Sequence, residues 1–359
     1  MHYQDERNFG CRISDSWTFR GHKTVIMENE QIRVVVLADK GADIYQFVHK
    51  NSDTDFLWRS PWGVRSTSSF LPTTGNEVWM DTYEGGWQTV LPGGGSPSVY
   101  GDADMGLHAE VNTIPWDCVI LEDTPNRVKA KFSVRTYRTP FFFEKILTLE
   151  LGRPVLTLDQ RLTNESEEDV HCVWGEHIAL GAPFLSDKCI IDLPQGKIIN
   201  HPDSFHENNK LQAGLESEWP FTKLSDGAVY DLSKIPGKNF CSYDISYITN
   251  MAEGWYGVTN TEVGVGFALA YPVSHYKYLW YWQSFGGASG YPWYGRTYNV
   301  GLEPFTSYTN EGLVKAVENG SALLVRAGQS IESQLSAAAY ESFNGIEGFS
   351  LDGDVKVKS

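Results

Sequence analysis

Apolar and polar residues alternate with a period of two along most of the chain, the spacing of half-buried β-strands. Residues 32–37 and 44–49 flank Ala38-Asp39-Lys40-Gly41, which reads as a hairpin-like turn. Residues 127–138 and 141–151 form two strand-like runs joined at Thr139-Pro140, and 155–163 follows a Gly-Arg-Pro turn. Further runs are 170–174, 189–193, 255–259, 263–271, 276–282, 298–302 and 322–325, and 108–121 reads as a long extended segment interrupted by Pro115. Helix signals are sparse: 309–318 holds a short helix, with Gly320 just beyond its end. Short strands separated by turn chemistry predict an all-β fold, a sandwich or barrel. No fixed-period repeat points to a propeller or solenoid.

No Pro/Ser-rich linker divides the chain, so residues 1–359 are expected to form a single β-sandwich domain. The polar stretch 201–238, with Pro202, Pro220 and Pro236, reads as a long loop excursion from it. The net charge of −16 argues against nucleic-acid and acidic-membrane partners, both of which call for a basic face. The five cysteines are widely spaced without a CxxC, which argues against a zinc knuckle or an oxidised framework. Residues 1–20 carry no apolar core segment and no apolar run reaches the length of a membrane helix, so a cytoplasmic location is expected.

Composition adds one distinctive feature: 12 Trp, 18 Tyr and 18 Phe. Aromatics favour strands, and they also make the flat apolar walls on which sugar rings stack. In 276–283 Tyr278, Trp280 and Trp282 share one face of a strand that ends at Gln283, and Gly85-Gly86-Trp87-Gln88 repeats the pairing of an aromatic with an amide. Ionisable groups in strand-like, Gly-rich settings are His108 in Leu-His-Ala-Glu, His177 in Gly-Glu-His and Glu303 in Gly-Leu-Glu-Pro. Each histidine alone also fits an ordinary hydrogen-bonded core residue; a carboxylate flanked by apolar residues calls for a partner or a function. No P-loop, no dinucleotide fingerprint and no nucleophile elbow is present, and the histidine and acid spacing is not that of a metal site.

Taken in order, Leu-His at 108, Gly-x-His-x5-Pro-Phe around 177, the Trp-x-Trp-Gln strand and Leu-Glu-Pro at 303 resemble the aldose 1-epimerase (galactose mutarotase-like) superfamily, in particular its uncharacterised bacterial branch. The resemblance covers roughly residues 25–340 and includes Lys40-Gly41-Ala42-Asp43-Ile44 in an early strand pair. It implies a large antiparallel β-sandwich, the galactose mutarotase-like supersandwich, with few short helices and a cleft for a small-molecule sugar. It implies Glu303 as the general base, His177 as the general acid and His108 as a substrate-binding histidine, with neither cofactor nor metal. Trp87, Gln88, Trp280, Trp282 and Gln283 are the candidate substrate-binding residues. The family's Asn-Arg pair is not evident; Gly86-Trp87-Gln88 occupies its place. The expected reaction is interconversion of sugar anomers, with carboxylate and histidine on opposite sides of one pyranose ring. A non-catalytic sugar-binding protein, or another carbohydrate isomerase or lyase assisted by a metal on His108, Glu110 and His177, are the alternatives.

Overall fold

A computed structural model describes residues 7–67 and 78–359; residues 1–6 and 68–77 lie outside the described residues. Two large antiparallel sheets carry the fold. The twelve-stranded sheet runs in the order Arg12–Phe19, His22–Glu28, Ile32–Leu37, Asp43–His49, Trp87–Val90, Gly175–Gly181, Tyr298–Phe305, Tyr278–Phe285, Ser242–Thr249, Lys197–Asn200 and Glu216–Glu218, with Thr54–Asp55 paired to Asp43–His49. The eight-stranded sheet runs Cys189–Asp192, Trp255–Asn260, Val265–Ala270, Ser330–Glu341, Val155–Asn164, Phe141–Glu150, Arg127–Arg135 and Asp117–Asp123. This is the predicted all-β sandwich. Among the described residues no helix is long and apolar enough to cross a membrane.

The period-two alternation does what it predicts in the eight-stranded sheet. In Arg127–Arg135, Val128, Ala130, Phe132 and Val134 are buried and the intervening residues face outward. Phe47 of the larger sheet, and Phe56 just after Thr54–Asp55, meet Phe267 of the smaller sheet at ring-centroid distances of 5.4 and 5.8 Å, so the main core lies between the sheets. The centre of the larger sheet is different. Gly175–Gly181 is buried at every position, and Trp87–Val90 likewise, because loops cover the face that turns away from the core. Both faces then need non-solvated side chains, and the alternation disappears from the sequence.

Several elements depart from the sequence reading. Only Asp117–Asp123 of the 108–121 stretch is a strand; the segment before it turns, with His108 itself in the left-handed region at φ +52°. The helix is shorter than expected, Leu313–Glu318, and starts after Gly312, whose φ of +97° ends the extended chain. The strand begins at Tyr278, so Tyr276 escapes its alternation and packs between the sheets, its hydroxyl donating to Gln160 at 3.0 Å. The excursion at 201–238 contains a small hairpin of Phe221–Lys223 and Val229–Asp231, and sends Leu211, Trp219, Leu232 and Ile235 into the main core.

Candidate active site

Strand register builds the site. Gly175–Gly181 pairs with Tyr298–Phe305 so that Gly175 faces Phe305 and Ala179 faces Gly301, which sets His177 opposite Glu303. On the flanks Gln88 pairs with His177 and Trp280 with Glu303, and Tyr247 pairs with Trp280. Gln88, His177, Glu303, Trp280 and Tyr247 thus form one lateral row over five strands, all on the face away from the core. Side chains directly opposite each other in a sheet approach closely, and His177 Nε2 lies 3.4 Å from Glu303 Oε1. The next row contains Ala179, Gly301 and Trp282. A Cβ on Gly301 would collide with Oε1 of Glu303, so the missing side chain is what lets the carboxylate lie over this strand.

Above this floor sits a cavity of about 120 Å³, whose lining includes His108, His177, Glu303, Trp79, Trp280 and Trp282. Trp293, Tyr243, Leu107 and Met80 contribute to its walls, and Ser96 and Asn310 add polar groups at one side. Trp79 comes from the short helix Val78–Thr82, and Tyr83 follows directly after it. Tyr83 stacks on Trp79 with centroids 4.3 Å apart, and its hydroxyl lies 3.3 Å from His177 Nδ1. Two wider depressions, of about 680 and 830 Å³, lie on the outer surface and have no histidine in their linings.

The groups at this site are held in uncharged forms. Burial pushes the Glu303 carboxyl well above the usual carboxylate range. Burial, reinforced by the neighbouring His108, pushes His177 well below the usual imidazole range. His108 is lowered to about 3 by burial alone. The Gly95 N–H donates to His108 Nδ1 at 3.1 Å. That makes Nδ1 the acceptor and leaves the proton on Nε2, so the neutral ring can donate from that atom. Its left-handed backbone is a conformation non-glycine residues rarely adopt, and such strain collects at functional positions.

The structure sorts the sequence candidates. It brings His108, His177, Glu303, Trp280 and Trp282 to one cleft. Trp87 does not belong there. It points into the inter-sheet core, where its indole N–H donates to Glu176 Oε2 at 2.6 Å. Gln283 alternates with Trp282 and faces away from the cleft, buried, with its Nε2 unpartnered. Gln88 is on the cleft face but lies under Trp79, accepting from its indole N–H at 2.8 Å. His177 and Glu303 were expected on opposite sides of a ring; they stand side by side instead. Glu110, weighed as a metal ligand, accepts from the backbone N–H groups of Tyr137 and Arg138, both at 3.0 Å, and does not line the cavity. Glu176 turns into the core, bonded to Trp87 and to Gln160. Among the described residues no three His, Cys, Asp or Glu side chains gather in a metal-holding group. Sequence reasoning missed Trp79, Tyr83, Tyr243 and Trp293. For the first two the local sign was a four-residue spacing between Trp79, on the five-residue helix Val78–Thr82, and Tyr83 just beyond it, a helix too short to carry a period.

Solved structures share this architecture. A "putative aldose 1-epimerase" from Klebsiella pneumoniae superposes with a TM-score of 0.71 at 14% identity, over 93% of this chain and 84% of that one. A galactose mutarotase-like protein from Clostridium acetobutylicum gives 0.60 at 14% identity over 92% and 99% of the two chains. A galactose mutarotase related enzyme from Lactobacillus acidophilus gives 0.60 at 13% over 90% and 100%. The fold is therefore that of the mutarotase-like sandwiches. Residues 19–225 match the family described as a domain of unknown function, DUF4432, and the chain belongs to that family. No curated protein matches it in sequence.

Proposed function

We propose that this protein is an aldose 1-epimerase, interconverting the α and β anomers of a sugar, with Glu303 as base and His177 as acid. The observation that carries the reading is the 3.4 Å contact between these two groups on the floor of an aromatic-walled cleft, beside His108. The anomeric carbon bears both the hydroxyl that loses a proton and the ring oxygen that gains one. These two oxygens are separated by only two bonds. A base and an acid that are immediate neighbours therefore match the reaction better than a pair divided by a whole ring.

In the resting pair the single transferable proton sits on Glu303, because burial disfavours both charges. Moving it to His177 creates a carboxylate and an imidazolium without changing the net charge of the cleft. Glu303 then takes the proton of the anomeric hydroxyl while His177 Nε2 protonates the ring oxygen, and the C1–O5 bond breaks. Rotation about C1–C2 and closure with the roles reversed gives the other anomer. His108 Nε2–H donates to a sugar oxygen, and Trp280 and Trp282 offer their faces to the C–H side of the ring. Nothing in this cycle calls for a cofactor, a metal or a covalent intermediate. The whole chain is read as one sandwich unit, acting in the cytoplasm.

The test is saturation-transfer NMR or polarimetry on freshly dissolved single anomers of neutral, acidic and phosphorylated aldoses. Acceleration of at least one, lost in Glu303→Gln, is expected. Tight sugar binding without acceleration would move the assignment to a non-catalytic sugar-binding protein.

A further inference from the structure

The cleft floor has a second layer whose members close a circuit. The Trp79 indole N–H donates to Gln88 Oε1 at 2.8 Å, and the Gln88 amide donates to Asp43 Oδ2 at 2.8 Å. Lys40 Nζ donates to the same Asp43 oxygen at 2.9 Å and pairs with Glu84 Oε2 at 2.8 Å. Glu84 follows Tyr83 in the chain, and Tyr83 stacks on Trp79. Asp43, Glu84 and Gln88 are fully buried and Lys40 nearly so. Buried charges persist only when paired, so each member fixes the next. The one polar group this circuit presents to the reacting pair is the Tyr83 hydroxyl, 3.3 Å from His177 Nδ1.

We propose that Tyr83 is a positioning residue for His177, held in register by the Trp79–Gln88–Asp43–Lys40–Glu84 circuit, and that its hydroxyl sets which imidazole nitrogen carries the proton. This rests on the reading of His177 as the acid. Around His177 the remaining neighbours are Gln88, its cross-strand partner, and Trp79, His108, Trp282 and Glu303. Of these, Glu303 approaches an imidazole nitrogen, Nε2, at 3.4 Å. Nδ1 is left to Tyr83. By accepting from Nδ1–H, the phenol oxygen keeps Nε2, the atom that faces Glu303 and the substrate, free to take the Glu303 proton. When His177 becomes an imidazolium, the same oxygen still accepts from Nδ1–H. Phenylalanine keeps the stack on Trp79 and cannot accept that bond.

The experiment compares wild type with Tyr83→Phe, using the full chain. Nitrogen-15 NMR of the His177 ring reads the tautomer, anomer-exchange kinetics read kcat and KM, and thermal unfolding checks the fold. The expected result is a wild type in the Nδ1–H form and a variant in which that preference is lost. Its kcat falls roughly three- to tenfold, the worth of one hydrogen bond, with KM within about twofold. Gln88→Met, which cuts the circuit at its centre, gives a smaller change of the same kind. An unchanged tautomer in Tyr83→Phe overturns the proposal, and so does an unchanged kcat in a variant whose tautomer has shifted. If the wild type accelerates no anomer exchange, the epimerase reading falls, while the NMR comparison still decides the role of Tyr83.

Discussion

The carboxylate of Glu303 lies over Gly301, two residues earlier on its own strand, in space that any side chain on Gly301 would take from it. The register sets Trp282 beside Gly301 in the neighbouring strand, with Ala179 on the other flank. Gly301 and Ala179 thus make room for the acidic group, with the large aromatic wall of Trp282 on the same row. Gly301→Ala is expected to fold, because this glycine does not need a positive φ. It should displace the carboxylate from His177 and lower turnover by at least tenfold. Sugar-binding titration alongside kinetics separates this from loss of the cleft.

Glu303→Gln keeps size and hydrogen-bonding shape but removes the base, and His177→Gln removes the acid. Each should reduce turnover by about two to four powers of ten, with affinity changed far less. The double variant should lose less than the product of the single losses, since both groups act on one proton cycle. Polarimetry on a single anomer measures all three.

The pH dependence of turnover follows from the directions of the two shifts. The active pair holds one transferable proton. It is lost at high pH when Glu303 ionises, above the usual carboxylate range, and a second is gained at low pH when His177 protonates, below the usual imidazole range. The expected profile is bell-shaped, with its high-pH limb set by Glu303 above the usual carboxylate range and its low-pH limb by His177 below the usual imidazole range. A low-pH limb set by His177 at or above the usual imidazole range would contradict the burial of the pair.

His108 links pH to stability. Its folded pKa, about 3, lies below the unfolded value of about 6.5, so the unfolded chain takes up a proton first as pH falls. The neutral ring thus contributes stability that is full above about pH 6.5 and is lost progressively towards pH 3. Comparing His108→Gln with wild type in urea isolates this effect: the difference should shift in favour of the variant by up to about 1.4 kcal/mol per pH unit below 6.5. At neutral pH the same variant should bind sugar more weakly and turn over more slowly.

Trp87→Phe should behave as a core substitution. It strips an indole donor from Glu176 Oε2 and leaves that acceptor with Thr89 at 3.3 Å. A loss of about 1–3 kcal/mol in stability is expected, with turnover per folded molecule unchanged. Trp282→Ala should do the reverse: a roughly two- to tenfold loss of sugar affinity from the missing aromatic face, read by titration.

What the sequence made legible was whatever could be read one strand at a time. The alternation in 127–138 and 155–163 marked strands correctly because one face of each meets solvent. The strand Gly175–Gly181 carried no such alternation, being covered on both faces, and only the resemblance drew attention to His177. Trp280 and Trp282 were found because both lie on one face of one strand. Trp87 and Gln283 were misplaced for a related reason: an aromatic-plus-amide pair looks the same whichever residue turns to the core, and the register that decides it is set by neighbouring strands. Trp79 and Tyr83 enter from a short helix through tertiary contacts alone. The side-by-side placement of His177 and Glu303 came from cross-strand pairing between segments far apart in the chain.

Glu176 and His177 are neighbours in the chain and inhabit opposite sides of it: the first anchors Trp87 and Gln160 in the inter-sheet core, the second meets Glu303 in the cleft. A slip of this strand by one residue would trade the two, sending an imidazole into the apolar interior and a second carboxylate against Glu303. The same dipeptide therefore acts as a reading frame for the molecule. Any lineage descended from this chain can gain or lose residues in the loops around Gly175–Gly181, but a single insertion or deletion within it would cost foldability and chemistry in one event.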